Sequence, residues 1–112
     1  MKKCISILGS TGSIGTQTID VVRNLGWHIC ALAAHSNIEL LEEQIRKFQP
    51  QLVSVYDENA ALTLKGRIAD TGTKVLSGMD GLCEAARLPS ADLVLNAIVG
   101  IAGLQPTLAA IQ

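Results

Sequence analysis

Cys4-Ile5-Ser6-Ile7-Leu8-Gly9-Ser10-Thr11-Gly12-Ser13-Ile14-Gly15 is the stretch whose reading decides the fold. Residues 4–8 are apolar at nearly every position, as in a central strand covered on both faces. The run breaks into glycines spaced Gly-x-x-Gly-x-x-Gly. A helical period starts directly behind them, with Ile14, Thr18, Val21, Val22 and Leu25 at helical spacing and Gly26 as the stop. Three glycines alone are a weak signal; a strand immediately before them and a helix immediately after make a dinucleotide-phosphate turn. Gly9 lets the chain turn off the strand. Gly12 lets the backbone approach a pyrophosphate, and Gly15 lets the helix pack tightly on the sheet. The first helical turn then presents unpaired N–H groups and a partial positive charge to the anion, the dipole contributing about 0.3–2 kcal/mol. Ser10, Thr11 and Ser13 add hydroxyl donors at the same mouth.

Outward from this turn, short β-branched runs alternate with helical periods. A second strand covers residues 28–34. The next helix carries Ile38, Leu41, Ile45 and Phe48 on one face and Glu39, Glu42, Glu43, Arg46 and Lys47 on the other, with Pro50 closing it. A third strand at 52–56 leads into a helix over 57–69 with Asp57 as its N-cap. A short strand at 74–76 precedes a helix opened by Ser77-x-x-Asp80, a pattern resembling a capping box. A fifth strand at 93–99 and a helix marked by Leu104, Leu108 and Ile111 complete the chain. The alternation predicts an α/β, Rossmann-like, doubly wound and mostly parallel sheet with helices on both faces. Such a domain usually closes on a further strand after that helix, so residues 1–112 read as one truncated dinucleotide-binding domain.

The bulk properties agree with one domain. A chain of 112 residues hides roughly 65% of its unfolded surface. With 48% hydrophobic residues and 3% aromatics the core must be aliphatic. A net charge of −1 leaves no electrostatic footprint for nucleic acid or an anionic membrane. The start Met1-Lys2-Lys3 runs into too short an apolar stretch for a secretory signal. No apolar run approaches the roughly 20 residues of a membrane span, and the expected location is cytoplasmic. Cys4, Cys30 and Cys83 lack ligand spacing, and Cys4 and Cys30 read as small buried hydrophobes. Trp27 and His28 read as packing residues. No carboxylate pair, nucleophile–base pair or metal cluster is visible in the sequence.

NAD-preferring sites place an acid about 20 residues beyond the glycine turn to hold the ribose 2′-hydroxyl. Here His35-Ser36-Asn37 stands at that point, and the nearest acid, Glu39, is already in the helix. Ser36 and Asn37 can donate hydrogen bonds to a 2′-phosphate, as can a suitably protonated His35, so the expected preference is NADP(H). Ser36 or Asn37 can cap the second helix at the same time. Asn96, polar within the fifth strand, either lies beside the nicotinamide or satisfies a loop.

The blocks Ile7-Leu8-Gly9-Ser10-Thr11-Gly12-Ser13-Ile14-Gly15 with Thr18-Ile19-Asp20-Val21-Val22-Arg23, Ala31-Leu32-Ala33-Ala34 with Asn37, and Val75-Leu76-Ser77-Gly78 resemble the start of the 1-deoxy-D-xylulose 5-phosphate reductoisomerase family. So does Asn96-Ala97-Ile98-Val99-Gly100-Ile101-Ala102-Gly103-Leu104, continued by Pro106-Thr107-Leu108-Ala109-Ala110-Ile111. The resemblance implies an NADPH-dependent enzyme that rearranges 1-deoxy-D-xylulose 5-phosphate and reduces the product to 2-C-methyl-D-erythritol 4-phosphate in non-mevalonate isoprenoid biosynthesis, using a divalent metal (Mg or Mn). It implies cofactor contacts at Thr11, Gly12, Ser13, Ile14, His35, Ser36 and Asn37, and places Ala97 and Ile98 near the nicotinamide. The family often carries Gly and a basic or small polar residue where His35 and Ser36 stand. Its Asn-Lys-Glu segment, acidic metal ligands, mobile loop and C-terminal helical domain come later than residue 112. The resemblance therefore implies a small-molecule phosphate substrate and a homodimer for the full enzyme, no catalytic or metal residue in this chain, and cofactor binding without turnover. Two alternatives stay open: an aspartate-semialdehyde-type NADP dehydrogenase, and a stand-alone NADP-sensing module. Extended short-chain dehydrogenases do not fit, since Tyr56 is followed by no lysine until Lys65.

Overall fold

In the computed structural model, which describes residues 3–98, strands and helices alternate as the sequence predicts. They are β1 (Cys4–Leu8), α1 (Ser13–Leu25), β2 (His28–Ala34), α2 (Ile38–Phe48), β3 (Leu52–Val55), α3 (Glu58–Arg67), β4 (Lys74–Ser77), α4 (Gly78–Ala86) and β5 (Leu93–Asn96). The sheet order is β4-β3-β2-β1-β5, and every pairing is parallel. From β1 the chain steps outward through β2 and β3 to β4; α4 then carries it back to β5 on the far side of β1. The winding reverses at β1, which puts the topological switch point at the carboxyl ends of β1 and β5, where doubly wound sheets hold their ligands.

Strand alternation divides the core into two layers. Ile5, Ile7, Ile29, Leu32, Ala34, Val53 and Val55 pack against Ile19 and Val22 of α1, Leu41 and Ile45 of α2, and Ala61 and Leu64 of α3. The opposite face offers Leu8, Ala31, Ala33 and Leu52 to Leu82, Ala85 and Ala86 of α4. Ala31 and Ala33, with Ser6 and Ser54 on the same side, leave room for α4 to lie close to this face. The Ser6 hydroxyl donates to the Ala85 carbonyl at 2.9 Å, and a β-carbon at Gly81 would stand 2.6 Å from Ser54 Oγ.

The phase of α1 differs from the sequence reading, of whose stripe only Val22 is among the buried residues. Its buried residues are Gly15, Ile19 and Val22, while Ile14, Val21 and Leu25 are 57%, 57% and 55% exposed. Two apolar stripes compete on this helix, and the one containing the glycine wins because it admits the closest backbone approach. Elsewhere β3 stops at Val55 and β4 runs on to Ser77. Ser77 and Asp57 occupy N-cap positions without forming side-chain caps, so the capping box at Ser77 is absent. Trp27 packs on the core, but His28 is exposed. The fifth strand ends at Asn96; Val99 and the expected helix over Leu104, Leu108 and Ile111 lie outside the described residues. Among the described residues no helix is long and apolar enough to cross a membrane.

A register shift between Ile5 and Ser6 leaves Cys30 as the extra residue of a bulge, with Ile5 opposite Ile29 and Ser6 opposite Ala31. Burial, reinforced by the neighbouring Cys4 thiol, pushes the Cys30 thiol up to about 12 from an ordinary value of 9.0. Between those values the folded chain retains a proton that the unfolded chain releases, so folding stability falls as pH rises. Denaturant melts stepped from pH 8.5 upward are expected to show this fall, and Cys30→Ala to make it shallower.

Candidate functional site

The glycine turn is held from below. The N–H groups of Gly9 and Ser10 both donate to the Ala33 carbonyl of β2, at 2.7 and 2.9 Å. Gly9 has φ +86°, the left-handed region where L side chains are strained. A β-carbon there would also stand 3.1 Å from the Ala97 carbonyl carbon. The end of β5 therefore abuts the turn, and the Ala97 N–H donates to the Leu8 carbonyl at 2.8 Å.

Gly15 is required for another reason: its β-carbon would fall on the Gly9 carbonyl oxygen and come within 2.8 Å of Ser10 Cα. The helix thus packs on the turn itself as well as on the sheet. Gly12 is different. Its φ and ψ of −81° and 176° suit any residue, and a β-carbon would meet only the Gly9 carbonyl oxygen, at 3.6 Å. Nothing within the described fold demands glycine here. Gly12 is exposed and is the N-cap of α1, with no side-chain cap and no acidic residue in the first turn. The first N–H groups of α1 lack carbonyl partners by helix geometry, and with Gly12 they form a bare, positive-ended backbone cradle suited to an anion.

Of the hydroxyls expected at this mouth, Ser13 is exposed and Thr11 half-buried. Ser10 is instead completely buried, and its Oγ has no partner among the described residues. The reason is a contact the sequence reading missed. Gln44, on the buried face of α2, donates from Nε2 to the Ser10 carbonyl at 2.9 Å, drawing the turn inward. The signal was present: an uncharged amide, Gln44, between Glu43 and Ile45 and beside the stripe of Leu41, Ile45 and Phe48. Gln44→Leu removes the donor and strands a buried carbonyl. The expected loss is about 1–3 kcal/mol of folding stability, read from urea denaturation.

His35, Ser36 and Asn37 lie in the loop between β2 and α2, all exposed. Because Ala33 accepts from Gly9 and Ser10, this loop and the glycine turn leave adjacent strands side by side. Asn37 caps α2 by accepting the Leu40 N–H at 3.3 Å on Oδ1, which leaves its amide hydrogens for a ligand. The His35 ring stacks on Tyr56, with centroids 5.6 Å apart and planes 23° apart. Thr11, Gly12, Ser13 and Ile14 at one helix start and His35, Ser36 and Asn37 at the next thus share the carboxyl edge of the sheet. Asn96 accepts the Ile98 N–H at 3.0 Å, so it serves a loop, one of its two expected roles. Among the described residues no group of three His, Cys, Asp or Glu is placed to hold a metal ion.

Comparison with known proteins agrees with this architecture. Residues 5–112 match the family model of 1-deoxy-D-xylulose 5-phosphate reductoisomerase. The chain is 57% identical over 110 residues to that enzyme from Lachnoclostridium phytofermentans, covering 97% of the chain and 28% of the relative. It is 52% identical over 114 residues to the one from Halothermothrix orenii, covering 100% of the chain and 30% of the relative. Among solved structures, the reductoisomerase from Zymomonas mobilis in complex with NADPH superimposes with a TM-score of 0.92 at 35% identity, over 99% of this chain and 30% of that one. A DOX-P reductoisomerase in complex with NADPH, fosmidomycin and magnesium gives 0.91 at 36% identity, over 96% and 27%. The chain spans less than a third of the length of these relatives. Its match from residue 5 to residue 112 nonetheless covers nearly every residue, and the chain belongs to the 1-deoxy-D-xylulose 5-phosphate reductoisomerase family.

Proposed function

We propose that residues 1–112 are the NADPH-binding part of a cytoplasmic, homodimeric enzyme that converts 1-deoxy-D-xylulose 5-phosphate to 2-C-methyl-D-erythritol 4-phosphate. The observation that carries this reading is Gly12: exposed, uncapped, and glycine at a place where the fold does not need one. A ligand backbone or phosphate that must come closer than a side chain allows accounts for it. Thr11, Gly12, Ser13 and Ile14 bind the pyrophosphate through backbone N–H groups and hydroxyls. His35, Ser36 and Asn37 hold the ribose 2′-phosphate, with no acid among them to repel it. Bound NADPH supplies the hydride; this chain orients it, with the Gly9–Ala97 contact closing the floor of the crevice where β1 and β5 end. The phosphate substrate and the divalent metal are bound by parts of the enzyme other than these residues.

Calorimetric titration with NADPH and with NADH tests the binding half of the proposal, and tighter NADPH is the expected result. Equal affinities, or tighter NADH, sink the NADP assignment. An assay of metal-dependent NADPH oxidation with 1-deoxy-D-xylulose 5-phosphate tests the other half. The 112-residue chain alone should show none, and measurable turnover would show that the division of labour is wrong.

A further inference from the structure

One peptide of the glycine turn is tied to no backbone group. The Gly9 and Ser10 N–H groups donate to the Ala33 carbonyl, the Gly12 N–H donates to the Gly9 carbonyl at 3.2 Å, and the Gly12 carbonyl accepts the Thr16 N–H at 2.9 Å. The peptide joining Ser10 to Thr11 has no backbone bond at either end among the described residues. Its tether is a side chain from α2: Gln44 Nε2 donates to the Ser10 carbonyl at 2.9 Å. Gln44 is only 6% exposed, and its Oε1 has no partner among the described residues. A buried amide satisfied at one end is a poor way to fill a helix face beside Leu41 and Ile45, where an aliphatic side chain carries no desolvated oxygen. Its use lies in what the bond does to the peptide plane.

All described peptides are trans, and in a trans peptide the C=O and N–H point in opposite directions. Drawing the Ser10 carbonyl toward α2 therefore turns the Thr11 N–H outward, away from the core. We propose that Gln44 is a positioning residue for anion binding: it holds the Ser10–Thr11 peptide so that the Thr11 N–H faces the pyrophosphate together with the N–H groups of Ser13 and Ile14. This rests on the proposed dinucleotide reading and adds to it a residue that does not touch the ligand. Rotation of the plane would bring the Ser10 carbonyl oxygen toward the phosphate in place of a donor. A complete flip puts a positive φ on the third residue of such a turn, which a β-branched residue resists, and Thr11 has no positive φ here. Loss of the tether thus misaligns the Thr11 N–H without reversing it. The expected cost is about tenfold in affinity, the scale of one hydrogen bond to a charged group.

Inorganic pyrophosphate followed by amide NMR tests this residue by residue. In the wild-type chain the Thr11, Ser13 and Ile14 amide resonances are expected to move together on titration. In Gln44→Met, which keeps the length of the side chain and removes the donor, Ser13 and Ile14 should still move while Thr11 moves much less. Gln44→Glu, titrated with NADP+ by calorimetry under conditions where circular dichroism shows it folded, gives a readout that a merely structural role does not. At about pH 8 its carboxylate has no proton to donate, and its affinity should fall about tenfold below wild type at the same pH. Burial raises a carboxyl pKa. At about pH 6 the protonated group can donate to the Ser10 carbonyl again, and the deficit against wild type should shrink to about twofold or less. Equal movement of Thr11 in wild type and Gln44→Met, or a Gln44→Glu deficit that does not change with pH, would overturn the positioning role and leave the dinucleotide reading intact. A wild-type chain that shows no amide movement and binds no NADP+ would overturn both.

Discussion

Gly12→Ala is expected to fold with near-native stability and yet bind NADPH at least tenfold more weakly, whereas Gly15→Ala should lose both properties. The two glycines are three residues apart in one turn, and any reading of the motif as a unit treats them alike. The geometry separates them. At position 12 a methyl group meets one oxygen at 3.6 Å, an ordinary contact, on backbone angles any residue adopts. Its effect on folding should stay at about 1 kcal/mol, the scale on which alanine is disfavoured at an N-cap. The same methyl projects at the bare end of α1, where a phosphate must approach backbone N–H groups. At position 15 the methyl would land on the Gly9 carbonyl oxygen and crowd Ser10 Cα. Both obstacles are backbone, so relief requires moving α1 off the turn. Overpacking of this kind costs about 1–3 kcal/mol, occasionally more. Urea melts paired with NADPH titrations separate the outcomes. A Gly12→Ala protein with wild-type affinity would remove the observation on which the proposed function stands.

The contrast also shows what was legible in the sequence and what was not. Strand and helix identities follow from local periodicity, so β1, β2 and the α2 stripe of Leu41 and Ile45 stand where the pattern puts them. The direction in which α1 faces is a tertiary matter. Val22 is buried as the periodicity suggests, but Ile14, Val21 and Leu25 give way to Ile19 on the side where Gly15 meets the turn. Cross-chain polar contacts are equally invisible locally. Ser10 reads as a hydroxyl at the mouth until Gln44, thirty-four positions away, is seen to claim its carbonyl. Sheet order escapes the sequence for the same reason, since nothing local says that β5 returns to pair with β1. Asp57 likewise has the position of a cap, and only the structure shows that it does not act as one.

Ser36→Asp is expected to shift the ratio of NADPH to NADH affinity by about two orders of magnitude in favour of NADH. Ser36 sits where β2 delivers the chain to α2, the position at which an acid would take the ribose 2′-hydroxyl. Its side chain is exposed, and its one backbone bond, from the Ile38 N–H to its carbonyl at 2.9 Å, survives the change. The cap of α2 also survives, because it belongs to Asn37. An added carboxylate near the start of α2 is even favoured by the helix dipole, so folding should be unaffected. Against the 2′-phosphate two losses combine. A hydrogen bond to a charged group contributes about 1.5–3 kcal/mol, and a carboxylate brought near a dianion adds repulsion that solvent only partly screens. About 2.7 kcal/mol of discrimination is a hundredfold in relative affinity. NADH carries a hydroxyl in place of that phosphate, escapes the repulsion and gains an acceptor. Titrations of both nucleotides into wild type and variant at one ionic strength decide the matter. If the ratio does not move, the 2′-phosphate is held elsewhere than at the β2–α2 loop.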